Sequence, residues 1–202
     1  SLHDVRMNTA NLVHEARIKG DVGLLLVQSR GVDLKSKTIR VNQAQLRDAN
    51  ISVELSDTVP PDTTKTPVFW KIKVDKLLVE RSKAMIRTAG DTMVVLAEMP
   101  KLEAKNGYFD LFKNLYRIET LNWQDGSVNY DLTHKPRTDG LDPNHIRLTH
   151  LDLGVDSFYF CQPELKMKVR VCAFKEKSGV QVNHFSTHVG LDSVRLDLPD
   201  LV

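Results

Sequence analysis

Several residues that can bind metal ions lie close together around a loop that contains proline and glycine, namely His134, Asp139, Asp142, His145 and His150. Imidazole and carboxylate groups are the ligands that zinc and similar ions prefer, but the spacing here matches no standard site. A second pair, His184 and His188, is four residues apart, which on a strand is about 13 Å and too far to share an ion. We therefore predict an ordinary polar loop and no metal site.

Motifs for catalysis are absent from the chain. It contains no Gly-x-Ser-x-Gly nucleophile turn, no phosphate-binding glycine loop ending in Lys-Ser or Lys-Thr, and no His-Glu-x-x-His sequence. Trp70 and Trp123 could stack on a ligand, but both occupy apolar positions of alternating patterns, where lining a core or a groove is the commoner role. We predict that the protein is not an enzyme and needs no cofactor.

The two cysteines, Cys161 and Cys172, are badly placed for a disulfide. If residues 162–164 connect two antiparallel strands, Cys161 lies beside the turn and Cys172 lies about 24 Å away along the partner strand. A disulfide needs Cα atoms within about 7 Å of each other. The sequence predicts two unpaired and mostly buried thiols.

Composition narrows the class of protein further. The 202 residues are 41% hydrophobic, enough for a core or an apolar groove, and 28 basic residues nearly cancel 26 acidic ones. This balance argues against a nucleic-acid partner. No apolar run approaches the roughly 20 residues of a membrane helix, so no transmembrane segment is predicted. The chain starts without an apolar leader and stops inside an apolar pattern, so we expect a piece of a longer protein.

The secondary structure that positions all of these side chains is indicated by a spacing of apolar residues that recurs five times. Written with Φ for an apolar residue, this repeat is Φ-x-Φ-x2-Φ-x-Φ-x4-Φ-x-Φ. Copies lie near residues 39–55, 72–88, 97–111, 116–132 and 146–160, and a partial sixth near 189–202. The first uses Ile39, Val41, Ala44, Leu46, Ile51 and Val53. Chance alone gives about one copy in a chain of this composition. Repetition of this kind restricts the architecture before any motif is considered.

Alternation with period two predicts strands, and the four-residue spacers carry turn-forming residues, so each copy is interpreted as a hairpin. The two residues between the first and second apolar pairs of each copy, such as Thr149-His150, shift the apolar–polar alternation by one residue, as a β-bulge would. We predict one repetitive all-β domain over residues 1–202, with repeated antiparallel hairpins in a long curved sheet. It would form a β-groove or a β-sandwich. Helix is expected only at 9–19, and loops at 56–66 and 133–144.

A sheet with one apolar face must cover that face with a second sheet, helices, a partner or a lipid. From the residues alone a closed sandwich is favoured over an open trough, because most one-sided sheets bury themselves. The candidate groove-lining residues are Ile72, Val74, Leu77, Ile118, Leu121, Trp123, Ile146, Leu148, Leu151, Leu153, Phe158 and Phe160. Charged strand positions, such as Lys71, Lys73, Glu119 and Arg147, are expected to face solvent.

Three segments resemble a known family. The stretch from Leu165 through Lys175-Glu176-Lys177-Ser178-Gly179-Val180 to Leu191-Asp192-Ser193-Val194-Arg195-Leu196-Asp197-Leu198-Pro199-Asp200-Leu201 is similar to TamB-like translocation and assembly proteins of Gram-negative bacteria, particularly the Bacteroidota type. Two further segments, 46–55 (LRDANISVEL) and 123–130 (WQDGSVNY), also resemble sequences of this family. The resemblance covers residues 16–202, and the family is related to AsmA-like proteins.

The resemblance implies an internal periplasmic segment of a protein anchored in the inner membrane, with a long hydrophobic β-groove. Its implied ligand is phospholipid or another acyl chain, moved between membranes, and its implied second role is outer-membrane protein translocation and assembly. A BamA-like partner would bind through regions outside this chain. On this interpretation a charge at Leu148, Leu151 or Trp123 should obstruct lipid. The alternative is a closed β-rich scaffold or protein-interaction domain of a cell-envelope protein, which binds no lipid.

Overall fold

The computed structural model describes residues 1–8, 16–55, 70–88, 92–161, 163–192 and 196–197, and the regular structure in this part of the chain is entirely β. The strands are β1 (Leu2–Asn8), β2 (Ala16–Asp33), β3 (Thr38–Leu55), β4 (Lys71–Arg87), β5 (Val94–Asp110), β6 (Leu115–Asp131), β7 (His145–Cys161), β8 (Glu164–Glu176), β9 (Gln181–Val182), β10 (Thr187–Leu191) and β11 (Leu196–Asp197). The predicted all-β class is confirmed.

All of these strands belong to one open, curved sheet. Strands β1 to β8 lie side by side in chain order, followed by β10 and β11, while β9 pairs with β8 beyond the main path. Neighbours are antiparallel except β3 and β4, which are parallel and place Ile39 opposite Ile72 and Val53 opposite Ile86. The predicted long antiparallel sheet is therefore confirmed, with one parallel pair that the repeat did not indicate.

The position of the turns is corrected. Each of the five full copies forms a single strand of 17 or 18 residues. Hairpins arise between successive antiparallel strands, as at turn 111–114 between β5 and β6. The four-residue spacers lie in mid-strand. Each contains a residue with left-handed backbone: Asp48, Arg81, Asn106, Asp125 or Ser157, with φ between 45° and 59°. Asp and Asn tolerate this conformation in turns and in strand bulges alike, which explains the misplaced turns.

The bends line up across the sheet in two rows. The first line of bends passes through Asp75 and Asn106, where the ladder between β4 and β5 is interrupted. The second line of bends passes through Asp48 and Arg81. Ion pairs link bends on neighbouring or nearby strands: Arg81 with Asp48 at 2.8 Å, Arg30 with Asp75 at 3.2 Å. The bulge predicted at Thr149-His150 is confirmed by a register shift and by a φ of 50° at His150.

Smaller predictions have mixed outcomes. Residues 16–19 lie in β2, so the helix expected at 9–19 is wrong there, and residues 9–15 lie outside the described part. Loop 133–144 is irregular as predicted, whereas 56–66 is not described.

The two cysteines are free, as predicted: Cys161 lies opposite Glu164, and Cys172 lies opposite Leu153, in the β7–β8 hairpin. Both are half-buried rather than mostly buried, and burial raises the pKa of Cys172.

Candidate functional site

An apolar row crosses the sheet close to the ends of the strands. Cross-strand pairing joins Ile72 to Phe109, Phe109 to Tyr116, and Tyr116 to Phe160. The full row, which we call the rim ladder, consists of Val32, Ile39, Ile72, Phe109, Tyr116, Phe160, Leu165 and Leu191. Its aromatic rings are in contact, with centroids 6.2 Å apart for Phe109 and Tyr116 and 5.9 Å for Tyr116 and Phe160.

Two further rows run parallel to it between the lines of bends. The inner ladder consists of Val27, Ala44, Leu77, Ala104, Leu121, Val155 and Val169. The tryptophan ladder consists of Leu25, Leu46, Val79, Leu102, Trp123, Leu153 and Cys172. At about 4.8 Å per strand, a row of seven strands extends about 29 Å.

All twelve predicted groove-lining residues lie on this series of rows. Val74, Ile118 and Phe158 form part of a row next to the rim ladder. Beyond the second line of bends, Leu148 lies opposite Val128 and Ile146 opposite Tyr130, while Leu151 is next to Gly126. The register of the sheet therefore brings residues from β4, β6 and β7 onto one apolar face.

The other face of the sheet is mainly polar. Side chains alternate along each strand, so Lys71 and Lys73 point away from Ile72 and Val74. Lys71, Lys73, Glu119 and Arg147 are all exposed, as predicted. Scattered apolar residues, such as Leu78 and Leu96, also lie on this face, but within the described residues it contains no apolar row that is continuous across the sheet.

The apolar face has no second layer over it in the described part of the chain. Strands make contacts with their neighbours in the sheet and only weak contacts with others. Of the repeat positions, Val41, Val79, Ala104 and Leu151 are buried, and most of the rest are half-buried. In a closed sandwich, facing sheets would cover these side chains. The closed sandwich favoured from the residues alone is therefore not the arrangement here, and the sheet is open.

Trp123 adopts a special position on this face. Its indole lies over Gly126, so close that a Cβ built on Gly126 would come within 3.0 Å of three indole atoms. The Nε1 group of Trp123 is buried and has no hydrogen-bond acceptor in the described residues. The ring thus packs against the backbone at the second line of bends, because residue 126 lacks a side chain.

The candidate metal ligands fulfil structural roles instead. Asp142 accepts hydrogen bonds from the backbone N–H groups of Thr138 (2.9 Å) and Asn144 (3.0 Å), and its carboxylate lies 2.8 Å from Nδ1 of His145. These bonds, led by that from Thr138, lower the pKa of Asp142 to about 2. Nε2 of His145 lies 3.2 Å from Asp131. The cluster therefore fastens loop 133–144 to the strand ends.

The other candidate ligands are dispersed. His150 pairs with Asp125 at 2.9 Å on the second line of bends, and His134, Asp139, His184 and His188 are exposed. Among the residues that the structure describes, no group of three or more His, Cys, Asp and Glu side chains could hold a metal ion. Nor does this part of the chain contain a helix with the length and hydropathy to cross a bilayer.

The structure adds apolar residues to the face that were not predicted as lining. Leu25 and Val27 come from β2, and Val155 and Val169 from β7 and β8. The alternation of β8 already indicated a half-buried strand, so Val169 could have been found from that signal. Strand β2 departs from the repeat and gave no comparable pattern.

These features define a class: an open, single-layer β-sheet protein with one apolar and one polar face. No protein-family model matches the chain, and no curated protein matches it either.

Proposed function

We propose that the apolar face is a trough for the acyl chains of phospholipids, in a periplasmic segment of a TamB-like or AsmA-like cell-envelope protein. The observation that supports this most directly is the set of apolar rows, which cross seven or eight strands without a charged interruption and without a covering layer. A soluble protein rarely leaves so extended an apolar surface open unless something binds to it.

The dimensions of the trough suit an acyl chain. A chain occupies about half of the roughly 30 Å hydrocarbon core of a bilayer, so about 15 Å, and the inner ladder extends about 29 Å across seven strands. Burial contributes about 0.8 kcal/mol per CH2, so half-burying about 15 CH2 groups contributes about 6 kcal/mol before ordering costs. Continuous rows would let a chain slide without meeting a polar barrier. The mechanism requires no catalytic group and no cofactor.

The wider role follows from the resemblance and is part of the same proposal. The segment would convey phospholipid between the inner and outer membranes, or support outer-membrane protein assembly with a BamA-like partner that binds elsewhere in the parent protein. Fractionation of cells that produce the full-length protein tests its location. Recovery in the cytoplasm would contradict the periplasmic assignment without affecting the apolar face itself.

Native mass spectrometry with lipid extraction tests the trough, using two neighbouring substitutions. Leu121→Asp places a charge in the inner ladder between Ala104 and Val155. Asn122→Asp places the same side chain on the opposite face, where Asn122 already accepts a hydrogen bond from Arg170. We expect phospholipid on the wild type and on Asn122→Asp, and strongly reduced loading on Leu121→Asp. Thermal melts confirm that both variants fold.

Equal loading of the two variants would contradict a trough on this face. A wild-type protein that carries no lipid would instead favour the protein-interaction domain, with loop 133–144 as a contact surface that Asp142 and His145 hold in place.

A further inference from the structure

A row of basic and aromatic residues crosses the polar face, directly behind the rim ladder. Pairing places Arg40 opposite Lys73, Lys73 opposite Tyr108, Tyr108 opposite Arg117, and Arg117 opposite Tyr159. Directly opposed residues have Cβ atoms about 5 Å apart, so these side chains form one continuous strip. The cations contact the rings: Nζ of Lys73 lies 5.7 Å from the centre of Tyr108, and Cζ of Arg117 lies 5.3 Å from that of Tyr159.

Three residues of the strip, Lys73, Tyr108 and Arg117, line an open depression of about 530 Å³ at the first line of bends, which we call the cavity. The rest of its lining consists of Val74, Asp75, Asn106, Gly107 and Leu115. The cavity opens on the face opposite the trough, because its charged residues alternate with the apolar ones along each strand.

The carboxylates around the cavity are already engaged. Asp75 pairs with Arg30 at 3.2 Å, and Glu119 accepts a hydrogen bond from Asn106. Asp110 is buried and accepts bonds from the backbone N–H groups of Phe112 and Lys113 and from the Tyr108 hydroxyl. Within the described residues, no ion pair joins a carboxylate to Lys73 or Arg117. These two cations are therefore available to an anion.

Two cations of the strip face each other across neighbouring strands. Arg40 and Lys73 are like charges directly opposite each other on neighbouring strands, which destabilises a sheet. The net charge of the whole chain is only +2, so the concentration of cations here is local rather than a consequence of composition. A tetrahedral anion between Lys73 and Arg117 would accept charge-assisted hydrogen bonds from both.

We propose that this cavity binds a phosphate group, as a free phosphate or as the phosphodiester of a lipid headgroup. Lys73 and Arg117 supply the charge, and the Tyr108 ring holds the Lys73 stem in place. The site lies on the polar face and is independent of the trough, so either can exist without the other.

The test compares two double variants that remove the same charge. Lys73→Ala/Arg117→Ala removes both cations of the cavity, and Arg47→Ala/Lys168→Ala removes one arginine and one lysine from the same face elsewhere. Binding of inorganic phosphate and of glycerophosphoglycerol, a headgroup diester without acyl chains, is followed by NMR shifts of the protein. Co-sedimentation compares vesicles of phosphatidylglycerol and phosphatidylcholine with vesicles of phosphatidylcholine alone.

We expect saturable binding of at least one phosphate probe, weakened about tenfold or more in the cavity variant and unchanged in the control. Binding of the diester and of the phosphatidylglycerol vesicles identifies a lipid headgroup, and binding of inorganic phosphate alone identifies free phosphate. Absence of saturable binding, or equal loss in both double variants, would overturn the proposal.

Discussion

The effect of Gly126→Ala on the free energy of unfolding should depend on the residue at position 123. We expect the substitution to destabilise the protein when Trp123 is present and to stabilise it when Trp123 is replaced. Gly126 does not have the left-handed backbone that favours glycine, so alanine fits its conformation. Without a steric conflict, such a replacement stabilises a protein by about 0.4–1 kcal/mol because it restricts the unfolded chain. Here the new Cβ would overlap the Trp123 indole, within 3.0 Å of three ring atoms. Overpacking of this kind costs about 1–3 kcal/mol, so we expect net destabilisation.

A double-mutant cycle isolates the contact. Urea unfolding is followed by circular dichroism for Gly126→Ala, Trp123→Leu and the pair. The emission of Trp123 is measured separately in a Trp70→Phe background, with and without Gly126→Ala. In the Trp123→Leu background, Gly126→Ala should become stabilising. The gain from the unfolded chain is the same in both backgrounds and cancels, so the interaction energy equals the overpacking cost of about 1–3 kcal/mol. In Gly126→Ala itself, the displaced indole should show red-shifted emission as its Nε1 group reaches water. Additive effects of the two substitutions would refute the contact between indole and backbone.

Two further predictions concern polar groups. Because the folded-state pKa of Asp142 is depressed from 3.8 to about 2, its contribution to stability is complete above pH 4 and is lost as the pH falls toward 2. Asp142→Asn should flatten the dependence of the urea midpoint on pH in this window, and an unchanged slope would contradict the role of this carboxylate. Ser82 is 2% exposed and its hydroxyl accepts the Ala49 N–H at 3.1 Å, so Ser82→Ala should cost about 1–3 kcal/mol, and Ser52→Ala much less. Similar urea midpoints for the two serine variants would show that the buried N–H finds another acceptor.

The repeat predicted which residues share a face, because alternation is a local property. Leu121 and Trp123 are two residues apart, and any antiparallel or parallel partner in register extends that face to the next strand. The paired rows Ile39–Ile72 and Tyr116–Phe160 arise in this way from separate copies. The lining residues could therefore be named before their partners were known.

The location of the turns could not be predicted, because the same residues favour two structures. Spacers such as Gln124-Asp125-Gly126-Ser127 have the composition of a hairpin turn, yet Asp125 adopts its φ of 48° within a continuous strand. Only pairing between distant residues decides between turn and bulge. The parallel pairing of β3 with β4 depends on a long connection in the same way.

The spacing of the apolar residues nonetheless indicates where the bends lie. Within β4 the apolar positions of the repeat are Ile72, Val74, Leu77, Val79, Ala84 and Ile86, so two of the steps are odd, of three and five residues. In a regular strand an odd step would place the next side chain on the opposite face. Irregular residues fall within both steps, at Asp75 and at Arg81, and they return the apolar side chains to one face.

Each copy of the repeat is thus a strand with two bends, and parallel or antiparallel copies in register align those bends into two lines across the sheet. Aligned bends act together across neighbouring strands, and the sheet that they form is curved and open. The odd steps of the repeat and the curvature of the sheet therefore have the same origin, namely the aligned bends. A flat sheet with even spacing would have to bury its apolar face against another layer, whereas this sheet leaves room for a ligand.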